Sequence, residues 1–262
     1  MPPAPLVLTD LDDTLFSTAR KQAEVATCAM VALSKKGTPS AYQNPVQAAI
    51  WAWLNQLGAV VPVTARNRAG LDRVTLPFSR HAIWNHGASI AIDGERDEPW
   101  HAAILGDLIA LEPLWEPLCA ALATWAQATP GVERADLRNT PHVEFGGHRF
   151  QLEIKAPGIG AHGPAIAAIA RSIVGDALWV YPHYDVIALL PRRAHKETAA
   201  ARLLATLKPN LTIGVGDSPS DLSFMRLCHF VMAPSQSLLV KMAVAGLTDN
   251  LAVPTAQAPE RA

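Results

Sequence analysis

Three short apolar runs, each ending in polar residues, limit what this chain can fold into. Leu6-Val7-Leu8 leads into Asp10-Leu11-Asp12-Asp13-Thr14, and Ala59-Val60-Val61-Pro62-Val63 leads into Thr64-Ala65-Arg66. Leu211-Thr212-Ile213-Gly214-Val215-Gly216 leads into Asp217. Short runs rich in Val, Leu and Ile, separated by helical stretches, read as strands buried on both faces of a parallel sheet. Ligands of such sheets bind outside the carboxyl ends of the strands. The three polar termini are therefore expected to converge on one crevice.

The first terminus carries the sharpest chemistry. Alternate residues of an extended segment point the same way, so Asp10 and Asp12 are expected to face one site. One carboxylate can attack phosphorus as a nucleophile, and the second can pass a proton to the departing oxygen. Asp-Asp-Thr is also a common turn and helix-capping sequence. Ser218, Pro219 and Asp221 likewise suit a helix start, with Ser as cap, Pro in the first turn and Asp near the positive dipole end. Asp217 is harder to explain structurally, because a carboxylate ending a buried strand needs a partner.

Between these termini the pattern changes. Ser17–Leu33 reads as a helix, 35–45 as a polar loop and Pro45–Leu57 as a helix with an apolar body. From Asp93 the chain departs from strand–helix alternation. Residues 99–129 read as helix broken or bent at Pro113 and Pro117. His142–Phe145 and Arg149–Ile154 alternate polar and apolar residues around Gly146-Gly147, which predicts a hairpin. A Gly/Pro-rich loop opens a helix ending at Val174, and 178–181 and 186–190 read as another strand pair. The expected architecture is α/β: a doubly wound, Rossmann-like parallel-sheet core, residues 1–92 and 188–262, interrupted by an inserted α+β cap at 93–187. The tail from Pro254 is expected to fray.

Composition removes some partners. The 22 basic and 23 acidic residues give a formal net charge of −1, too balanced to attract nucleic acid or an anionic membrane nonspecifically. No apolar run reaches membrane-spanning length. Cys28, Cys119 and Cys228 are scattered, with no metal-binding spacing. With no secretory signal pattern at the amino terminus, they predict reduced thiols in a cytoplasmic protein. A monomer or small homo-oligomer is expected.

In order along the chain, Asp10-Leu11-Asp12-Asp13-Thr14, Thr64-Ala65-Arg66, Lys196 and Gly216-Asp217-Ser218-Pro219-Ser220-Asp221 resemble the motifs of haloacid dehalogenase-like phosphatases with a large inserted cap. The likeness is to their sugar-phosphate branch, which includes sucrose, trehalose and mannosyl-phosphoglycerate phosphatases and the related phosphomannomutases. The resemblance implies that Asp10 is the nucleophile and forms an aspartyl phosphate, while Asp12 is the general acid and base. Thr64 would hydrogen-bond a phosphoryl oxygen, and Lys196 would offset its charge. Positioning and electrostatic stabilisation of this kind dominate phosphoryl transfer. Nucleophile and substrate are both anions, so a cation is needed between them; Mg²⁺ suits a few carboxylates, a substrate phosphate and water. Its ligands would be Asp10, Asp217 and the backbone carbonyl of Asp12, with Asp221 orienting them or binding directly.

Two departures from the family pattern stand out. Asp13 occupies a position where glycine is usual, and Asn85-His86-Gly87-Ala88 replaces Asn-Gly-Ala. The cap would exclude water and select the leaving group. Arg66, Asn85, His86, Arg149 and His183 are the candidates for substrate contact, the substrate being a small phosphate ester. A phosphomutase and a non-catalytic sugar-phosphate sensor are the alternatives; a sensor has no need for Asp12.

Overall fold

The computed structural model describes residues 5–250 apart from 23 and 184, and leaves aside the side chains of 183 and 247–250. The tail from Pro254 lies outside the described residues. Two compact units divide the chain: Met1–Trp84 with Ala200–Ala262, and Asn85–Ala199.

The first unit is built on a four-stranded parallel sheet in the order Phe230–Met232, Thr212–Val215, Leu6–Thr9, Ala59–Pro62. Leu6–Thr9 lies between two neighbours, pairing Leu6 with both Thr212 and Ala59. All four of its residues are buried, as an apolar strand inside a parallel sheet requires. The three runs that announce strands in the sequence thus lie side by side, and their carboxyl ends lie at one edge. Pro45–Leu57 is helical. Asn44 starts it by accepting from the Gln47 amide at 2.9 Å, while the Gln47 side chain accepts from the Asn44 amide at 3.2 Å. Pro45 occupies the first turn, where no amide hydrogen is needed.

The segment after the first strand corrects the expected helix over Ser17–Leu33 and the expected loop after it. Strands Ser17–Thr18, Ala29–Leu33 and Pro39–Gln43 form a small antiparallel sheet, with single 3-10 turns between the first two. Ala, Met and Leu favour a helix locally, but pairing overrides propensity. Ser34 donates its amide to the Thr38 carbonyl at 2.7 Å, closing a hairpin over Lys35, Lys36 and Gly37. Val31 and Ala32 are buried, and the Thr75 amide donates to the Val31 carbonyl.

The second unit carries an antiparallel sheet in the order Leu178–His183, Val186–Pro191, Arg149–Lys155, Asp136–Pro141. Burial alternates along Arg149–Lys155, so one face packs and the other does not. Helices Glu98–Leu111, Trp115–Gln127 and Gly163–Val174 accompany it. Pro113 breaks the long helical stretch as expected. Pro117 does not, because it sits in the first turn of Trp115–Gln127, whose amides have no helical partner. The predicted hairpin is present, but its first strand is Asp136–Pro141 rather than His142–Phe145. Phe145 is fully buried at the end of a 3-10 turn, and Gly146 and Gly147 follow with positive φ. The aromatic side chain thus anchors the turn instead of extending the ladder.

Candidate functional site

Asp10 directly follows the central strand and donates its amide to the Val215 carbonyl at 2.9 Å, which keeps its backbone in the sheet. Its side chain is buried. The Asp10, Asp217 and Asp221 carboxylates each place an oxygen within 4.8 Å of the others. Three anions drawn this close repel one another unless a cation is shared among them. Hard carboxylate oxygens are the ligand type that Mg²⁺ prefers, so the donor set fits the ion that the motifs imply.

Two sequence features allow the crowding. A Cβ at Gly216 would lie 2.5 Å from the Asp221 Cβ, so only glycine lets Asp221 approach the strand end. Asp221 also serves the helix Pro219–Met225: its Oδ2 accepts from the Ser218 amide at 3.1 Å and the Ser218 hydroxyl at 2.7 Å. The Asp217 amide donates to the same oxygen at 3.3 Å. The helix-start reading of this motif is therefore correct, and the cap also fixes the orientation of a carboxylate in the acidic cluster.

Thr14 is the residue that motif reasoning passed over. Its buried hydroxyl lies 3.3 Å from both Asp10 Oδ2 and Asp217 Oδ1. Its four-residue spacing from Asp10 is the only signal in the sequence. The turn that brings Thr14 back needs Asp13 in the left-handed region, at φ 66°. That region favours glycine, and aspartate is among the few other residues that tolerate it. Lys21 pairs with the Asp13 carboxylate.

Asp12 is held by Arg66 beside this cluster. Its half-exposed carboxylate accepts from Arg66 Nε at 2.8 Å and Nη2 at 2.7 Å. Burial pulls the Arg66 pKa down, but the hydrogen bond to Asp12 and the charges of Asp12 and Asp10 outweigh it, and the net shift is upward. Thr64 is buried where the Ala59–Pro62 strand ends, and its amide donates to Ile83. Its hydroxyl oxygen accepts from the Arg66 amide at 3.1 Å, leaving the hydroxyl proton to donate. The first unit thus brings together Asp10, Asp12, Thr64, Arg66, Asp217 and Asp221.

Lys196, Asn85, His86 and Arg149 belong to the second unit, as does His183, whose side chain lies outside the described residues. Lys196 is buried and begins the helix Lys196–Leu207. Asn85 is buried, with its amide 3.2 Å from the Ser89 hydroxyl. His86 lies close enough to Lys196 and His195 for their charges to matter. Desolvation first, then those two residues, lower its pKa to about 3. Arg149 is drawn into the unit's own ion pairs, 2.7 Å from Glu116 and 3.7 Å from Glu112.

Neither a protein-family model nor a curated protein sequence matches the chain. Solved structures do. The sucrose-phosphatase of Synechocystis sp. PCC6803, solved with sucrose and phosphate, superimposes with a TM-score of 0.56 at 14% identity, over 95% of this chain and 98% of that one. A protein from Streptococcus mutans UA159 gives 0.56 at 13% identity, over 92% and 91%. One from Eubacterium rectale gives 0.54 at 12%, over 92% and 91%. The chain therefore shares the fold of these structures, the α/β class with a Rossmann-like parallel-sheet core and an inserted α+β cap that the sequence predicts.

Proposed function

We propose that this protein is a Mg²⁺-dependent phosphomonoesterase that hydrolyses a small sugar phosphate or related metabolite through an aspartyl phosphate on Asp10. The observation that carries the reading is the meeting of Asp10, Asp217 and Asp221 at the carboxyl edge of the parallel sheet, with Asp12 two residues from the nucleophile. The fold shared with a sucrose-phosphatase supports it.

In the first step an Asp10 oxygen attacks phosphorus, the bond from phosphorus to the alcohol oxygen breaks, and Asp12 gives that oxygen its proton. In the second, Asp12 takes a proton from water as the water attacks phosphorus, which frees inorganic phosphate and restores Asp10. Thr64 donates to a phosphoryl oxygen, and Lys196 offsets the charge on the transferred group. Asp10, Asp217, Asp221 and the Asp12 carbonyl would hold Mg²⁺, which when bound neutralises charge between nucleophile and phosphate.

Arg66 is the best-supported contact to substrate, since it leaves the same strand end as Thr64. In this reading the inserted segment 93–187 selects the alcohol, and the protein works in the cytoplasm. Phosphate release from a panel of sugar phosphates, phosphoglycerate glycosides and nucleotides tests the proposal, with Mg²⁺ or chelator. Turnover is expected to need Mg²⁺ and to vanish in Asp10→Asn. Full Mg²⁺-dependent turnover by that variant would sink it.

A further inference from the structure

The second unit holds an arrangement around Lys196 that none of the motifs announces. Asn85, His86 and Gly87 all have positive φ, at 51°, 56° and 101°. This left-handed turn is pinned from one side by the Trp100 indole, whose Nε1 donates to the Gly87 carbonyl at 3.0 Å. From the other side the backbone just ahead of Lys196 rests directly on Gly87. A Cβ there would lie 2.4 Å from the His195 carbonyl oxygen and 2.9 Å from the Lys196 nitrogen. Both obstacles are backbone atoms, so no side-chain rotation could relieve the overlap.

His195 completes the seat. It is the cap residue of the helix that Lys196 begins. Its Nδ1 accepts from the Glu197 amide at 3.2 Å, and its carbonyl accepts from the Ala199 amide at 3.1 Å and the Thr198 hydroxyl at 2.9 Å. The imidazole rests against two aromatic rings that lie two residues apart on one strand and so share a face, 6.4 Å from each other. Trp179 is 4.7 Å away and Tyr181 5.9 Å away, centroid to centroid. His86 extends the stack from Tyr181 at 6.0 Å. Beyond Trp179, the Arg192 guanidinium lies 4.0 Å over the indole, whose Nε1 donates to the Arg192 carbonyl at 2.7 Å. His195 and Lys196 are both buried.

So much fixed structure is out of proportion to what an ordinary helix start needs. Asn, Asp, Ser or Thr would cap this helix without aromatic support. What the turn, the imidazole and the stack achieve together is to fix the φ and ψ of the backbone that carries the Lys196 side chain. We propose that Gly87 and His195 are positioning residues for Lys196, acting through its backbone and not by touching substrate. The proposal rests on the reading of Lys196 as a phosphate-contacting residue. A misplacement of about 1 Å in such a group can cost about 100-fold in rate, which gives the seat its purpose.

The test compares Gly87→Ala, His195→Ala and His195→Asn with the wild type, and repeats Gly87→Ala in a Lys196→Met background. Amide hydrogen exchange at residues 196–199 reads the seat itself; kcat and KM for phosphate release read its consequence. Exchange at 196–199 is expected to rise in Gly87→Ala and His195→Ala, and kcat to fall about 10- to 100-fold. His195→Asn, which restores a capping acceptor, should recover most of the exchange protection. In the Lys196→Met background Gly87→Ala should cost nothing further, because the residue it positions is gone. An equal loss in both backgrounds would mean a general structural role and overturn the proposal. Unchanged exchange in His195→Ala would do the same, whether or not Gly87→Ala folds. Should the wild type release phosphate from no substrate, the phosphatase reading falls by itself, and exchange still decides whether the seat exists.

Discussion

Arg66 holds both oxygens of Asp12, Nε to Oδ2 at 2.8 Å and Nη2 to Oδ1 at 2.7 Å. The fork-to-fork match fixes the plane of the carboxylate, and the Phe16 ring supports the guanidinium from 5.1 Å. To act as an acid Asp12 needs a proton on one of those oxygens, so that oxygen must part from Arg66 before the first step. The freed half of the fork is then available to a phosphoryl oxygen. Asp12 is half exposed and solvent screens the pair, but Arg66 is mostly buried and the contact is two-point, so the pair contributes about 1 kcal/mol to stability. Arg66→Ala, which also loses the Phe16 contact and a hydrogen bond to the Gly70 carbonyl, is therefore expected to lower the melting temperature by a few degrees at most and to cut kcat at least about tenfold. The loss should be larger for alkyl phosphates than for a nitrophenyl phosphate, whose leaving group needs no proton. Equal rates for wild type and variant would reduce the pair to a surface contact.

The acidic cluster makes a prediction that needs no substrate. Asp10, Asp217 and Asp221 crowd their oxygens within 4.8 Å, and the one hydroxyl proton of Thr14 is shared between two of them. Without a cation this repulsion opposes folding; with one it becomes binding energy. At about 100 times its dissociation constant, Mg²⁺ should stabilise the wild type by about 2.7 kcal/mol, seen as a rise in melting temperature that chelator reverses. Asp217→Asn should lose the Mg²⁺ shift and, without metal, melt no lower than the wild type. A metal-free variant that melts well below the wild type would show that Asp217 serves the fold and not an ion.

The parts of this site that were legible in the sequence are those set by local pattern. Strands buried on both faces must be apolar throughout, so three of the four strands of the parallel sheet stood out, with their polar ends. Thr14 did not, because its role depends on Asp217, 203 positions away. The Arg66 grip on Asp12 spans 54 positions, and nothing local marks it. Ser17–Leu33 misled for the opposite reason. Its composition suits a helix, and only the pairing of Ala29 with Gln43 and Met30 with Tyr42 makes it a strand. At His142–Phe145 the alternation was real, but the burial of Phe145 spent it on a turn.

His86 links the seat of Lys196 to pH. In the folded chain desolvation, Lys196 and His195 lower its pKa from 6.5 to about 3. Between those values the unfolded chain takes up a proton that the folded chain refuses, so stability falls as pH drops below about 6.5 and goes on falling towards 3. The slope from this residue approaches about 1.4 kcal/mol per pH unit. His101 and His142 are shifted the same way, chiefly by burial, so the wild type alone cannot isolate it. His86→Asn can, because asparagine tolerates the left-handed φ of 56° and does not titrate. Urea unfolding at pH 7.5, 6.0 and 5.0 should show a constant offset between the two proteins at the highest pH. The offset should then shift steadily in favour of the variant as pH falls. Parallel stability curves down to pH 5 would mean that His86 takes its proton freely, and that the turn beneath Lys196 is more open than its geometry requires.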